Sequence, residues 1–185
     1  MKAYIIHGWE GHPNNCWFPW LKKELERLGY EVVIPSMPNP SVPVMEDWIK
    51  TLQYILKPDK DTILIGHSIG CQTILRYLET IDIKIKACYF VAGWFTLDLH
   101  LDPDEAKQIA KPWIETPINF NKIKNNCNSF TVFLSTNDEW VNYKEHKKLF
   151  ENNLNAKVII EKDKDHYDKL KQIPSLINEI NSKTI

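Results

Sequence analysis

The sequence predicts an α/β domain: a parallel sheet of about six strands in a three-layer arrangement, with helices covering both faces. Three observations carry the prediction. Short, nearly continuous apolar runs such as Ala3–Ile6 and Thr62–Ile65 read as strands buried on both sides. Stretches with apolar residues at helical spacing alternate with them along the chain. Gly-punctuated or polar segments follow the runs, where the ligand crevice of such a sheet lies. A length of 185 residues suits one core, so a single domain over residues 1–185 is expected.

Taken in order, Lys2–His7 is a first strand that opens into His7-Gly8-Trp9-Glu10-Gly11. Glycines there let backbone N–H groups approach a ligand closely; a plain turn is the alternative. Trp17, Trp20, Leu21, Leu25 and Leu28 form one helical face, stopped by Gly29. Tyr30–Ile34 is a strand, and the four prolines of Pro35–Pro43 make a stiff loop. Met45, Trp48, Ile49, Leu52, Ile55 and Leu56 give a second helix. Ile63–Leu78 then runs from strand to helix through Gly66-His67-Ser68-Ile69-Gly70. Ile85–Val91 is a fourth strand. From Trp94 to Asn126 the periodicity breaks at Pro103, Pro112 and Pro117, so 94–126 is expected to be an irregular insertion near the site, with one short helix over Pro103–Ala110. A segment of this kind is a lid, a pocket wall or a surface excursion. Phe130–Leu134 and Lys157–Glu161 are the last strands, with helices over Tyr143–Leu154 and around Ile173–Ile180.

Composition narrows the function classes. Basic and acidic side chains number 23 and 24, for a net charge of −1, and no basic stripe is interleaved with aromatics. Nucleic acid and anionic membrane are therefore not expected as partners. The first apolar run ends after four residues, too short for a signal-peptide core or a membrane span, so a cytoplasmic location is expected. Cys16, Cys71, Cys88 and Cys127 share no metal-binding spacing. No disulfide, structural metal or cofactor is expected.

The chemistry centres on Ser68. A Gly two residues before and two after it allow a sharp strand-to-helix corner with the hydroxyl at its apex, the G-x-S-x-G elbow of the α/β-hydrolase fold. A Ser that merely caps the helix is the alternative. A serine hydroxyl needs a base, and the resulting imidazolium needs an anion, in the chain order Ser, acid, His. Asp138 follows the fifth strand and His166 the sixth. Glu139 is the rival acid, and helix capping or solvation are the plain readings of Asp138 and His166. His146 lies in a helical pattern and is expected at the surface. His67 is expected to be structural. Trp94, Trp140 and Trp9 stand near strand ends and line an apolar pocket or pack in the core; His7 stands at the pocket or braces the first loop.

The segments HGWEG…NNCWFPWLKKELERLG, IGHSIGCQTILRYL, STNDEWV and DKDHYD resemble the small single-domain serine hydrolases grouped with retinoblastoma-binding protein 9 and the YdeN-type proteins, over nearly the whole chain. The resemblance implies an α/β-hydrolase fold and a Ser68, Asp138, His166 triad. It also implies an oxyanion hole from the backbone N–H groups of Ile69 and Trp9, and esterase or amidase activity. Two features depart from the pattern. Asp165 stands where many α/β-hydrolases place Gly before the catalytic His, and the L-x-C-x-E motif for retinoblastoma-type partners is absent, so no such partner is expected. The reading is a hydrolase of small esters or amides, monomeric or homodimeric. The alternative is a catalytically weak binding module on the same fold.

Overall fold

The computed structural model describes residues 1–100 and 102–183. Its elements in chain order are β1 (Lys2–Ile6), α1 (Phe18–Arg27), β2 (Glu31–Val33), α2 (Met45–Ile55), β3 (Ile63–His67), α3 (Ile69–Leu78) and β4 (Ala87–Val91), then α4 (Asp104–Glu115), α5 (Phe120–Asn126), β5 (Phe130–Ser135), α6 (Tyr143–Leu154), β6 (Lys157–Glu161) and α7 (Pro174–Ser182). The strands form one sheet in the order β2-β1-β3-β4-β5-β6, and every pairing is parallel.

Strand alternation builds two cores. Ala3, Ile5, Ile63, Ile65, Tyr89 and Val91 face α1 and α7, where Trp17, Leu21, Leu25, Leu176 and Ile180 are buried. Tyr4, Ile6, Leu64, Phe90, Val132 and Leu134 face the other way, against Trp48, Leu52, Ile74, Leu78 and Phe150. The strand order reverses direction between β1 and β3, so the chain leaving β1 and the chain leaving β3 open side by side into one crevice.

In the 94–126 segment the short helix expected over Pro103–Ala110 is present but runs on to Glu115 as α4, and a second helix, α5, replaces part of the expected irregular stretch. Helix α4 runs through Pro112 and ends at Glu115, so the missing N–H affects little more than its last turn. Two anchors hold it. Trp113 is fully buried and its indole donates to the Pro43 carbonyl at 3.1 Å. The buried Arg76 guanidinium on α3 donates to the carbonyls of Trp113, Thr116 and Pro117 at 3.2, 2.7 and 2.7 Å, collecting oxygens that the helix end leaves unpaired. These contacts fasten the C-terminal end of α4 to α3 and to the Pro43 loop.

His146 is a second correction. It is 1% exposed, on the inner face of α6 with Phe150 and Leu154, and its Nε2 accepts from the Thr96 amide at 3.3 Å. A polar side chain in a helical pattern reads as surface unless its tertiary partner is known, and that partner lies fifty residues upstream.

Candidate active site

Ser68 stands between β3 and α3 with φ 52 and ψ −122, a conformation that costs a non-Gly residue about 1–3 kcal/mol. Close packing imposes it. A Cβ on Gly70 would lie 2.4 Å from the Ile6 carbonyl oxygen, and one on Gly66 would lie 2.8 Å from the Cys71 backbone. Both glycines are thus required for α3 to start directly against β1 and β3. Ile69 is the first residue of α3, so its N–H has no partner within the helix. The Ser68 Oγ accepts from the Trp94 indole at 3.4 Å.

Asp138 and His166 meet as a pair. The Asp138 side chain is 1% exposed, and its Oδ2 lies 2.8 Å from His166 Nδ1. Its Oδ1 accepts from the Trp140 and Val141 amides, each at 3.1 Å, so the carboxylate cannot rotate freely. Glu139 is exposed. A carboxylate only accepts, so Nδ1 carries the proton and Nε2, on the opposite side of the ring, is the basic nitrogen. Ser68 and His166 line one cavity, and no hydrogen bond joins them among the described residues.

The loop carrying His166 has positive φ at Asp163 (55), Asp165 (47) and Tyr167 (61). Asp165 thus takes the left-handed conformation that glycine favours, which accounts for the departure noted in the sequence. Its side chain compensates by accepting from Asn137 Nδ2 at 2.6 Å, while its amide donates to Asn137 Oδ1 at 3.0 Å. The Lys164 amide donates to Ser135 Oγ at 3.0 Å. These bonds tie the segment before Asp138 to the segment before His166. Only residue types, not pairings, were visible in the sequence here.

On the other side of Ser68, the loop after β1 lies against the elbow. A Cβ on Gly8 would be 3.3 Å from Ser68 Cβ. The Trp9 N–H has no partner among the described residues, while the Glu10 amide donates to Pro40 O at 2.7 Å and the Trp9 indole donates to Ser41 O at 2.9 Å. His7 is fully buried behind this loop, outside the pocket, where its Nε2 accepts from the Met37 amide at 3.0 Å and its Nδ1 donates to Gly8 O at 2.9 Å.

The cavity holding Ser68 and His166 has a volume of about 570 Å³. Its apolar walls are Trp9, Val42, Leu97, Ala106, Ile109 and Trp140. Trp94 does not line it; its ring is buried beneath Ser68. Trp9 and Trp140 are therefore in the wall, whereas Trp94 and His7 are behind it. Ala106 and Ile109 lie within the helix expected over Pro103–Ala110, but the sequence did not show that this helix turns them toward the cavity.

Burial pushes the imidazole of His67 down to about 3, with the neighbouring His166 adding to the effect. His7 is lowered as well, again chiefly by burial. Below an ordinary histidine value of 6.5 the unfolded chain takes up protons that these folded sites refuse, so stability falls as pH drops from about 6.5 toward 3. The urea midpoint measured across that window is expected to decline with acidification, and to decline less steeply in His67→Phe.

Comparison with known proteins agrees with the geometry. The model of the family described as Serine hydrolase matches residues 3–174. The chain is 31% identical to the rat serine hydrolase RBBP9 over 170 residues, covering 90% of this chain and 87% of that one. It is 45% identical to the putative hydrolase YdeN of Bacillus subtilis over 84 residues, 45% of this chain and 44% of that protein. The crystal structure of YdeN superimposes with a TM-score of 0.86 at 28% identity, over 99% of this chain and 98% of that one. Est1E from Butyrivibrio proteoclasticus shares the fold, with a TM-score of 0.75 at 15% identity over 99% of this chain and 88% of that one. The chain folds as an α/β-hydrolase and belongs to the serine hydrolase family.

Proposed function

We propose that the protein hydrolyses small esters or amides with an apolar acyl group, through a Ser68, His166, Asp138 triad and an acyl-enzyme intermediate. The observation that carries this reading is the Asp138–His166 bond of 2.8 Å beside a strained Ser68 in one cavity. When substrate fills the cavity, the Ser68 hydroxyl turns from the Trp94 indole toward His166 Nε2, a contact that often closes only in the substrate complex. Oγ attacks the carbonyl carbon as Nε2 takes the hydroxyl proton. The negative oxygen of the tetrahedral intermediate is met by the N–H groups of Ile69 and Trp9. His166 then gives its proton to the departing alcohol or amine. Water repeats the sequence on the acyl-enzyme and releases the acid.

The walls support an apolar acyl group, and the rim sets a limit on charge. Carboxylates of Glu10, Asp102, Glu105 and Asp168 line the cavity, and among the described residues no lysine or arginine does. A substrate carboxylate would meet like charge. With p-nitrophenyl esters, kcat/KM is expected to rise by about fourfold per added methylene while the chain still enters the cavity, and a hemisuccinate ester is expected to be slower than a neutral ester of equal length. Hydrolysis no faster than that of Ser68→Ala for every ester and amide tried would refute the reading.

A further inference from the structure

We infer that His67 is a positioning residue, whose imidazole sets the place of His166 relative to Ser68. The inference rests on the triad reading above and adds a residue that the triad does not contain.

His67 ends β3, directly before Ser68, and strand alternation points its side chain to the same face as Ile63 and Ile65. Its Nε2 lies 2.8 Å from the main-chain carbonyl oxygen of His166. A carbonyl only accepts, so Nε2 carries the ring proton and donates. The ring is 5% exposed and is gripped edge-on by Trp17 and Phe18, each with a centroid separation of 5.9 Å. Its other face meets the loop after β1. A Cβ on Gly8 would stand 2.9 Å from His67 Nδ1, so the absence of one lets that loop lie against the ring. One side chain thus touches the elbow, the loop carrying the Trp9 N–H and the backbone of the base.

The need for such a contact follows from how His166 is otherwise held. Asp138 grips the imidazole at Nδ1 and the Trp140 indole packs edge-on against it with a centroid separation of 5.1 Å, but both contacts act on the ring and neither fixes the main chain of His166. The backbone on either side of it takes positive φ at Asp165 and Tyr167, the latter held by its amide on the Lys164 carbonyl at 2.9 Å and by its hydroxyl on Glu161 at 3.1 Å. The Ser135 and Asn137 bonds fix the chain up to Asp165. The bond from His67 fixes His166 itself, from the strand that also carries the nucleophile. Burial keeps the His67 ring neutral at neutral pH, so the donor stays a simple N–H and takes no part in proton transfer.

Two amides separate positioning from packing. The nitrogen of Gln reaches the place of a histidine Nε2, whereas that of Asn reaches only the place of Nδ1. The readouts are steady-state kinetics on a p-nitrophenyl ester and the second-order rate of fluorophosphonate labelling at Ser68. Compared at matched folded fractions, His67→Gln is expected to stay within about fivefold of the wild-type kcat, and His67→Asn to lose about 30-fold in both kcat and labelling rate, with KM changed less than about twofold. His67→Phe, which keeps the ring and deletes the donor, is expected to follow Asn. Equal rates for Gln and Asn would overturn the inference even if Phe fails to fold. His166→Ala is the separate control. If it labels at the wild-type rate, the triad reading itself fails; if it does not label while Gln and Asn behave alike, the triad stands and the role of His67 falls.

Discussion

Asp138→Asn is expected to lower kcat by about 10⁴-fold with the fold intact, as removal of the orienting charge does in a comparable triad. The cause is a choice of tautomer. Oδ1 of Asp138 accepts from two backbone amides, those of Trp140 and Val141. An asparagine must keep its carbonyl oxygen on those donors, since its NH₂ there would face N–H against N–H. The NH₂ then points at His166 Nδ1, which has to accept, and the ring proton moves to Nε2. That nitrogen now presents a proton to Ser68 and cannot remove one. Steady-state kinetics with ¹⁵N spectra of the histidine ring check both halves of the prediction. An Asn variant within tenfold of wild type would contradict it, as would a larger loss from Glu139→Gln, whose side chain is exposed.

How much of this was legible in the sequence depends on whether local chemistry or a distant partner decides each feature. Buried strands announce themselves because both faces are covered: Ala3–Ile6 and Ile63–Ile65 leave no polar alternation. The order Ser68, Asp138, His166 was legible because each follows a strand and a parallel sheet gathers those ends along one rim. The run of helix α4 on to Glu115 was not. Its prolines signal breaks, and the forces that override them come from Arg76 and from the burial of Trp113, forty and more residues away from their partners. Trp94 and Trp140 are equally apolar in sequence, yet one lies beneath Ser68 and the other in the cavity wall. The role of Asp165 was hidden because its unusual φ is supported by Asn137 on another loop.

The second large effect concerns Ser68. A fluorophosphonate places an electrophilic phosphorus where an ester carbonyl would sit; an activated serine oxygen bonds to it and fluoride departs, but an ordinary hydroxyl does not react at a useful rate. Ser68 lines the cavity with a helix N-terminus behind it and the His166 imidazole, its proposed base, in the same cavity, whereas Ser41, which also lines the cavity, has no such partners among the described residues. Removing the base in His166→Ala is expected to slow labelling by at least about 10³-fold. The measurement is the mass of the intact protein after labelling, followed by peptide mapping: one adduct per chain on the peptide containing Ser68, and none in Ser68→Ala, is the predicted result. A folded chain that remains unlabelled, or an adduct that maps to any other residue, would contradict it.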